Sequence, residues 1–174
     1  MKYLKDNAIG VDKEINSIIN KIDKALNPSW GIDIYHKIYR ERDVNDLFAP
    51  FAFLSDKEYK EVFINDKAVG EVGFYLNNTR DVDGYANVDC DVIFSINLDK
   101  IDNGSLQRED ERAIMMAYDA VNGYRSNITQ IKTTLRSVFS DFNQERIKYR
   151  DMQPYLNFSF TLNINYKNNN CYGM

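Results

Sequence analysis

Two long segments of this chain alternate apolar and polar residues almost without interruption, and they constrain its fold more than any other feature. In Tyr85–Leu98 every second residue is apolar, and Ile93 is the one aliphatic residue in the intervening polar series. Tyr155–Tyr166 repeats the pattern. Successive side chains of a β-strand point to opposite faces of the sheet, so both segments predict half-buried strands.

The two faces of these strands predict how the sheet is covered. The polar faces consist mainly of Asn, Ser, Thr and Asp, and they contain no recognisable catalytic set. The apolar faces need cover, and amphipathic helices at Gly10–Leu26 and Glu109–Asn122 are suited to provide it, because their apolar residues recur at helical spacing. We therefore expect the polar faces to remain uncovered within a single subunit.

The first half of the chain contains several shorter periodic segments. A helix from about Gly10 to Leu26 is expected to end at Asn27-Pro28, because the residue before a proline disfavours helical backbone angles. The further predicted elements are a strand at Trp30–Arg40 with His36 on its isoleucine face, a loop at Glu41–Asp56, a hairpin of Tyr59–Ile64 and Val69–Leu76 around Asn65-Asp66-Lys67, and a polar loop at Asn77–Gly84.

The second half predicts helices around the two long strands. An acidic first turn at Glu109–Glu111 opens a helix that runs to about Asn122-Gly123. Ile128–Phe142 suggests a further helix, although Ile128–Thr134 is also compatible with a short strand, and both interpretations remain open. The sequence thus predicts a single α+β domain over residues 1–174, with a mainly antiparallel sheet, a long central strand and a polar tail at residues 168–174.

Composition and charge exclude some classes of protein. The net charge of −4 and the isoelectric point near 5.1 argue against a domain that holds nucleic acid through phosphate contacts, which needs a basic surface. The first residues lack the apolar core of a signal peptide, and no segment approaches the ~18 apolar residues of a membrane span. Cys90 and Cys171 belong to no Cys-x-x-Cys or Cys/His cluster, so we expect an intracellular, metal-free protein without disulfides.

Few residues are candidates for chemistry. His36 is the only histidine, and a lone histidine on a strand is more typical of a structural or surface residue than of a catalytic base. Gly70 and Gly73 form no phosphate-binding loop, and their spacing suggests a β-bulge instead.

The acidic residues Asp81, Asp83, Asp89 and Asp91 permit one specific hypothesis. Asp89 and Asp91 lie two residues apart, so both project from one face of a strand, as paired ligands of Mg²⁺ in a nuclease would. No Glu-x-Lys pattern follows on that strand, and acidic residues also discourage pairing at an open sheet surface. We favour the second interpretation and assign no catalytic, cofactor-binding or metal-binding residue.

Short segments spread along most of the chain carry a resemblance to a known family. They are Tyr3-Leu4-Lys5 with Ile9-Gly10-Val11, Tyr59–Lys67, Val138–Phe142, and Met152–Tyr155 with Phe158-Ser159-Phe160. In these segments, and in the order of its elements, the chain resembles the tail-completion (tail-terminator-like) proteins of tailed bacteriophages, most closely the neck ring proteins of crAss-like phages.

The resemblance implies a non-enzymatic virion protein that is assembled in the cytoplasm of the host bacterium. Such a protein is a subunit of a homo-oligomeric ring in the head–tail connector, beside portal, neck or tail proteins, with no cofactor and no membrane partner. DNA passes through the lumen without sequence-specific binding, which an acidic protein favours. Two alternatives remain open: a metal-dependent nuclease or hydrolase that uses Asp89 and Asp91, and a small module that binds a protein through a tyrosine-rich sheet.

Overall fold

A computed structural model describes residues 1–54, 58–82, 85–101, 109–123 and 126–167, and for residues 78–82, 85 and 126 it describes the backbone alone. The elements, in chain order, are α1 (Val11–Trp30), β1 (Asp33–Arg42), β2 (Phe48–Phe53), β3 (Tyr59–Glu61), β4 (Gly70–Val82), β5 (Tyr85–Asn97), α2 (Leu98–Ile101), α3 (Asp110–Val121), β6 (Ser126–Lys132), α4 (Leu135–Val138), a 3₁₀ turn (Lys148–Asp151) and β7 (Tyr155–Lys167). The predicted α+β class is confirmed.

The strands form one seven-stranded sheet in the order β3-β2-β1-β4-β5-β7-β6. Neighbouring strands are antiparallel except for β1 and β4, which run parallel. The predicted long strand, β5, is confirmed as an interior strand of 13 residues, which pairs with β4 on one side and with β7 on the other; the middle position of the seven belongs to β4, which is equally long. The second alternating segment is confirmed as β7.

Helices α1 and α3 cover the apolar face of the sheet, as the alternation predicts. The main core consists of aliphatic residues on one face of α1, small residues of α3 and the even-numbered residues of β5 and β7. Its most deeply buried members include Ile15, Ile19, Ile22, Ala117, Val92, Phe94, Phe158 and Phe160. We call this side of the sheet the helix side, and the opposite side the polar side.

Helix α1 continues past its proline, so the expected end at Asn27-Pro28 is wrong. Pro28 lies in the last turn of the helix, where its missing N–H removes a single hydrogen bond. The helix ends at Gly31, whose φ of 63° is left-handed and whose N–H donates to the carbonyl of Asn27 at 3.2 Å. The side-chain oxygen of Asn27 also accepts from the amide of Ile32 at 2.6 Å, which stabilises the turn into β1.

A bulge in β1 divides its residues between the two sides of the sheet. The pairing of β1 with β4 shifts between Ile34 and Lys37. Ile34 therefore packs in the main core, whereas Ile38 packs on the polar side together with Tyr35. The prediction of one continuous isoleucine face is wrong, because a bulge reverses the alternation for every residue that follows it.

Two of the predicted loops contain strands, and the predicted hairpin around Asn65-Asp66-Lys67 is wrong. Glu41–Asp56 includes β2, which pairs with β1, and β3 pairs with β2 rather than with β4. Strand β3 ends at Glu61, just before Val62. The backbone of Phe63 has a positive φ of 65°, and its side chain is buried in the interior. Asn77–Gly84 was expected to be a loop, but β4 continues to Val82 after a bulge between Leu76 and Asn78; Asp83 and Gly84 lie outside the described residues.

The pairing of β6 with β7 decides between the two interpretations of Ile128–Thr134, and the pairing of β4 with its two neighbours explains its glycines. The strand interpretation of Ile128–Thr134 is confirmed by β6, and the helix that follows, α4, is only one turn long. Gly70 and Gly73 lie in regular register opposite Ile96 and Ile93 of β5, so β4 has no bulge of its own there; the bulge of β1 between Ile34 and Lys37 lies opposite Gly73. A Cβ on Gly70 would lie 2.7 Å from a methyl group of Ile96, and close packing therefore explains this glycine.

The polar side of the sheet is not open over its whole area, which contradicts the expectation from alternation. Helix α4 and the segment that follows it lie over one half of this side and form a second core around Ile93, the residue that interrupts the polar series of β5. The members of this second core are Tyr35, Ile38, Ala52, Val62, Phe63, Ile93, Leu135, Val138, Phe139, Phe142 and Ile147. In the other half, Asn163 remains partly exposed and Asn165 is exposed.

Candidate functional site

The two aspartates proposed as metal ligands lie on the polar side of β5, as their spacing predicts, and both have protein partners. Asp91 is buried; Lys132 on β6 lies 2.7 Å from one of its carboxylate oxygens, and the Thr161 hydroxyl donates to the other at 2.5 Å. Asp89 is half-buried and accepts from the side-chain amide of Asn163 at 2.9 Å. Because Lys132 and Thr161 already bind the Asp91 carboxylate, this group links β5 to β6 and β7. Binding of Mg²⁺ would require displacement of Lys132.

No wider acidic or metal-binding cluster surrounds this pair in the part of the chain that the structure describes. Among those residues, no three His, Cys, Asp or Glu side chains come together as metal ligands would. Asp83 and the side chain of Asp81 lie outside the described part. Cys90 is buried in the main core, where burial raises the pKa of its thiol, and Cys171 lies beyond the described residues.

His36 lies beside the start of α1, in a small charged cluster. Its Nε2 is 3.3 Å from the backbone carbonyl oxygen of Asp12, and burial lowers the pKa of the imidazole below its ordinary value of 6.5. The Asp12 carboxylate is paired with Lys37 at 2.5 Å and with Lys5. Burial by itself raises the pKa of Asp12, but the hydrogen bonds from the two lysines outweigh it and hold the pKa below its usual value. This cluster ties the N-terminal segment and α1 to β1, which is a structural role.

A buried ion pair, which the sequence analysis missed, joins the polar side of the sheet to the segment that covers it. Arg150 in the 3₁₀ turn donates to Glu71 on β4 at 2.8 Å, and the two side chains are 2% and 1% exposed. Arg150 also donates to the Ser95 hydroxyl at 3.0 Å. The other Glu71 oxygen accepts from the Tyr35 hydroxyl at 3.0 Å and from the amide of Phe63 at 2.9 Å.

This network satisfies its charges internally and leaves no reactive group exposed. Burial, together with the negative charge of Glu71, raises the pKa of the Tyr35 hydroxyl above its ordinary value. Burial by itself lowers the pKa of Arg150, but Glu71 and Tyr149 outweigh it and raise the pKa. The rings of Tyr149 and Tyr155 lie 5.6 and 5.3 Å from the guanidinium carbon. The network therefore fixes the covering segment in place, as buried polar groups do when all partners are present.

Exposed apolar side chains lie at both edges of the sheet, on its helix side. The aromatic patch consists of Tyr39 on β1, Phe53 on β2 and Tyr59 on β3, which are 37%, 46% and 53% exposed and whose rings are in contact. At the opposite edge, Met115 on α3 and Ile131 on β6 are 56% and 46% exposed. Exposed apolar groups that are contiguous mark interaction surfaces more often than single exposed residues do.

A shallow cleft between helices α1, α2 and α3 has a volume of about 110 Å³. Trp30, Ile101 and Met116 contribute apolar walls, and the ion pair of Arg112 with Glu109, at 2.7 Å, lies at its rim. The cleft is small for a substrate site, since ligand pockets usually enclose about 300–1,000 Å³.

Comparisons with protein-family models, with curated proteins and with solved structures give no match to this chain. None of the helices in the described part is both long enough and apolar enough to cross a membrane.

Proposed function

We propose that this chain is a structural subunit of a homo-oligomeric ring in the head–tail connector of a tailed bacteriophage, through which DNA passes. The observation that carries the proposal is the open sheet, whose two edges are unlike: β3 has three residues and β6 has seven. When one surface of a subunit binds a different surface of the next copy, the same contact can repeat from subunit to subunit. The assembly closes into a ring if the rotation between neighbouring subunits is a whole fraction of a full turn.

The uncovered half of the polar side supports the same proposal. Its side chains are mainly amides, with Asp89 and Asn163 joined by a hydrogen bond of 2.9 Å. Most of these side chains carry no charge, the Lys132 ammonium is paired with Asp91 at 2.7 Å, and the net charge of −4 adds a weak repulsion of phosphate groups. Such a surface suits a channel through which DNA slides without adhesion. In the virion, the expected neighbours are other copies, and portal, neck or tail proteins.

The proposal is tested by mass photometry and negative-stain microscopy of the purified chain, alone and with adjacent neck or portal proteins. We expect closed rings with a central opening, and no retention of duplex DNA in an anisotropy assay at low salt. A chain that stays monomeric alone and with those partners, or that forms a closed two-fold dimer, contradicts the proposal.

The two alternatives make different predictions with the same material. A metal-dependent hydrolase that uses Asp89 and Asp91 requires divalent-ion-dependent cleavage of a nucleic acid, lost in Asp91→Asn. The ion pair of Asp91 with Lys132 makes this the less favoured alternative. A protein-binding module would form a complex with a different protein and no assembly of its own.

A further inference from the structure

A groove between α1 and the first half of β1 holds residues 1–6 of the chain, which we call the strap. We propose that this groove is a binding site for an extended segment with two lysines three residues apart, and that a neighbouring copy supplies the segment within an assembly. The inference rests on the proposed ring function, for which it specifies a contact between copies.

The groove binds the backbone of the strap at two points. Ile34 on β1 donates its N–H to the carbonyl of Met1 at 2.8 Å and accepts from the amide of Tyr3 at 2.9 Å. This parallel bridge fills a position beside β1 that β2 leaves open, because β2 pairs only with the second half of β1. On α1, the Asn16 side chain donates to the carbonyl of Lys5 at 2.9 Å and accepts from its N–H at 3.2 Å. Main-chain hydrogen bonds of this kind bind an extended segment.

Carboxylates on α1 make the groove selective for lysine. Lys2 lies 2.8 Å from a carboxylate oxygen of Asp23 and donates to Asn20 at 3.0 Å. Lys5 pairs with Asp12, which is buried. The two aspartates are eleven residues apart on the helix, a rise of about 16 Å. Two lysines three residues apart in an extended segment lie about 10 Å apart, and their long side chains supply the remaining reach.

An aromatic contact adds to this selectivity. The rings of Tyr3 and Tyr35 are stacked, with centroids 5.4 Å apart and planes 17° apart, and Tyr35 belongs to the second core. The groove therefore fits the pattern lysine, aromatic residue, any residue, lysine. In the sequence this pattern occurs only at residues 2–5. A second copy is the occupant because it carries the one segment that the groove is shown to accept.

The strap has the properties of a segment that can leave its own chain. Tyr3 is half-buried and the other five strap residues are exposed, so release of the strap uncovers little apolar surface. Asn7 and Gly10 have φ angles of 50° and 55°, in the left-handed region that Asn and Gly adopt most readily, and they turn the chain back towards α1. When extended, residues 6–10 span about 17 Å, which allows the strap to reach an adjacent copy.

Exchange of the strap forms the same contacts between copies that now exist within one copy. Such an exchange of identical elements is a low-cost route to association, because no new complementary surface is needed. The strap and the groove are different surfaces, so a strap passed from each copy to the next gives a heterologous contact. A heterologous contact is the kind that a ring requires.

The first test measures whether the groove accepts a strap from outside. Lys2→Glu with Lys5→Glu, the strap variant, disables the strap and leaves the groove intact. Lys13→Glu with Lys67→Glu changes the net charge equally at two exposed lysines outside the groove and is the control. A fluorescein-labelled peptide with the sequence of residues 1–6 should bind the strap variant at least about tenfold more tightly than the control in an anisotropy titration. In the control, the chain's own strap competes at high effective concentration.

The second test measures exchange between copies. Asn16→Ala with Asp23→Lys, the groove variant, disables the groove and leaves the strap intact. In sedimentation velocity, neither variant alone should form the assemblies of the control. An equimolar mixture of the groove variant and the strap variant should form heterodimers and stop there, because only one intact strap and one intact groove exist between them. Raised salt should weaken the heterodimer, since ion pairs hold the strap.

Three results would overturn the inference. These are peptide binding to the strap variant that is no tighter than to the control, peptide binding that persists when Asp23→Lys is added to the strap variant, and a mixture without heterodimers. Circular dichroism checks folding, and alanine replaces glutamate at Lys2 and Lys5 if the strap variant is unfolded. Rings that persist in the strap variant refute the exchange while the ring function stands. Heterodimers from a chain that forms no ring, alone or with neck and portal proteins, refute the ring function while the groove stands.

Discussion

Replacement of Arg150 by methionine isolates the contribution of the buried ion pair. The variant keeps a side chain of similar length but leaves the Glu71 carboxylate buried, with only Tyr35 and the amide of Phe63 as partners. Removal of one partner of a buried pair costs about 3–5 kcal/mol, because the remaining charge is uncompensated. In a chain of this size each kcal/mol corresponds to about 2–4 °C, so we expect the melting temperature to fall by about 6–20 °C.

The chain contains a matched control four residues earlier. Arg146 also pairs with a glutamate on a strand, Glu61, and these two side chains are 40% and 11% exposed. Arg146→Met leaves a carboxylate that is partly exposed rather than fully buried, so it should cost less than Arg150→Met, about 1–2 kcal/mol. Both variants are compared by urea unfolding, followed through the fluorescence of Trp30, the single tryptophan, and through far-ultraviolet circular dichroism.

A double variant separates charge from packing. Glu71→Gln together with Arg150→Met removes both charges, so it should be more stable than Arg150→Met alone. The interpretation is refuted if Arg150→Met costs no more than Arg146→Met, or if the double variant is less stable than Arg150→Met.

Three further perturbations test other parts of the fold by urea unfolding. Asp91→Asn leaves the Lys132 ammonium half-buried without its anion and should cost about 1–3 kcal/mol; an unchanged midpoint would show that the pair is not structural. Gly70→Ala places a methyl group against Ile96 and should cost about 1–3 kcal/mol, whereas a gain in stability would mean that the strands have room. The pKa of His36 is lowered by burial, so the folded chain binds fewer protons than the unfolded chain. Its free energy of unfolding should therefore fall as the pH drops below about 6.5, and this slope should flatten in His36→Gln; equal slopes would contradict it.

The elements that local periodicity predicts correctly are those with one buried face. Strands β5 and β7 alternate because their even residues pack under the helices, and α3 begins and ends close to its acidic turn and its Asn122-Gly123. The class and the main core follow from these elements alone. Strand β2 escapes detection because Pro50 interrupts it, although the backbone carbonyl of Pro50 accepts from the amide of Val62 at 2.9 Å. Proline is tolerated at this position because its carbonyl oxygen can accept a hydrogen bond, although it has no N–H to donate.

Contacts between residues that are distant in the sequence decide the features that local patterns do not indicate. The bulge that separates Ile34 from Ile38 is invisible to an alternation count, since both are isoleucines at even positions. The cover on the polar side depends on Arg150 and Glu71, which are 79 residues apart. The local signal that could have pointed to it was Ile93, an aliphatic residue in an otherwise polar series. An interruption of that kind indicates a second apolar layer.

The position of β7 has a consequence for how the chain folds during synthesis. Strand β7 is the last described element, yet it lies between β5 and β6, so it has to insert between two strands that leave the ribosome before it. Until residues 155–167 emerge, β5 presents one unpaired edge, β6 has no neighbour, and Phe94 lacks the rings of Phe158 and Phe160 that pack on it. The nascent chain therefore exposes a template for strand addition until β7 has been synthesised, and such edges promote aggregation. Shortening of β7 should consequently lower the soluble yield far more than an equal deletion within the exposed turn at residues 43–47.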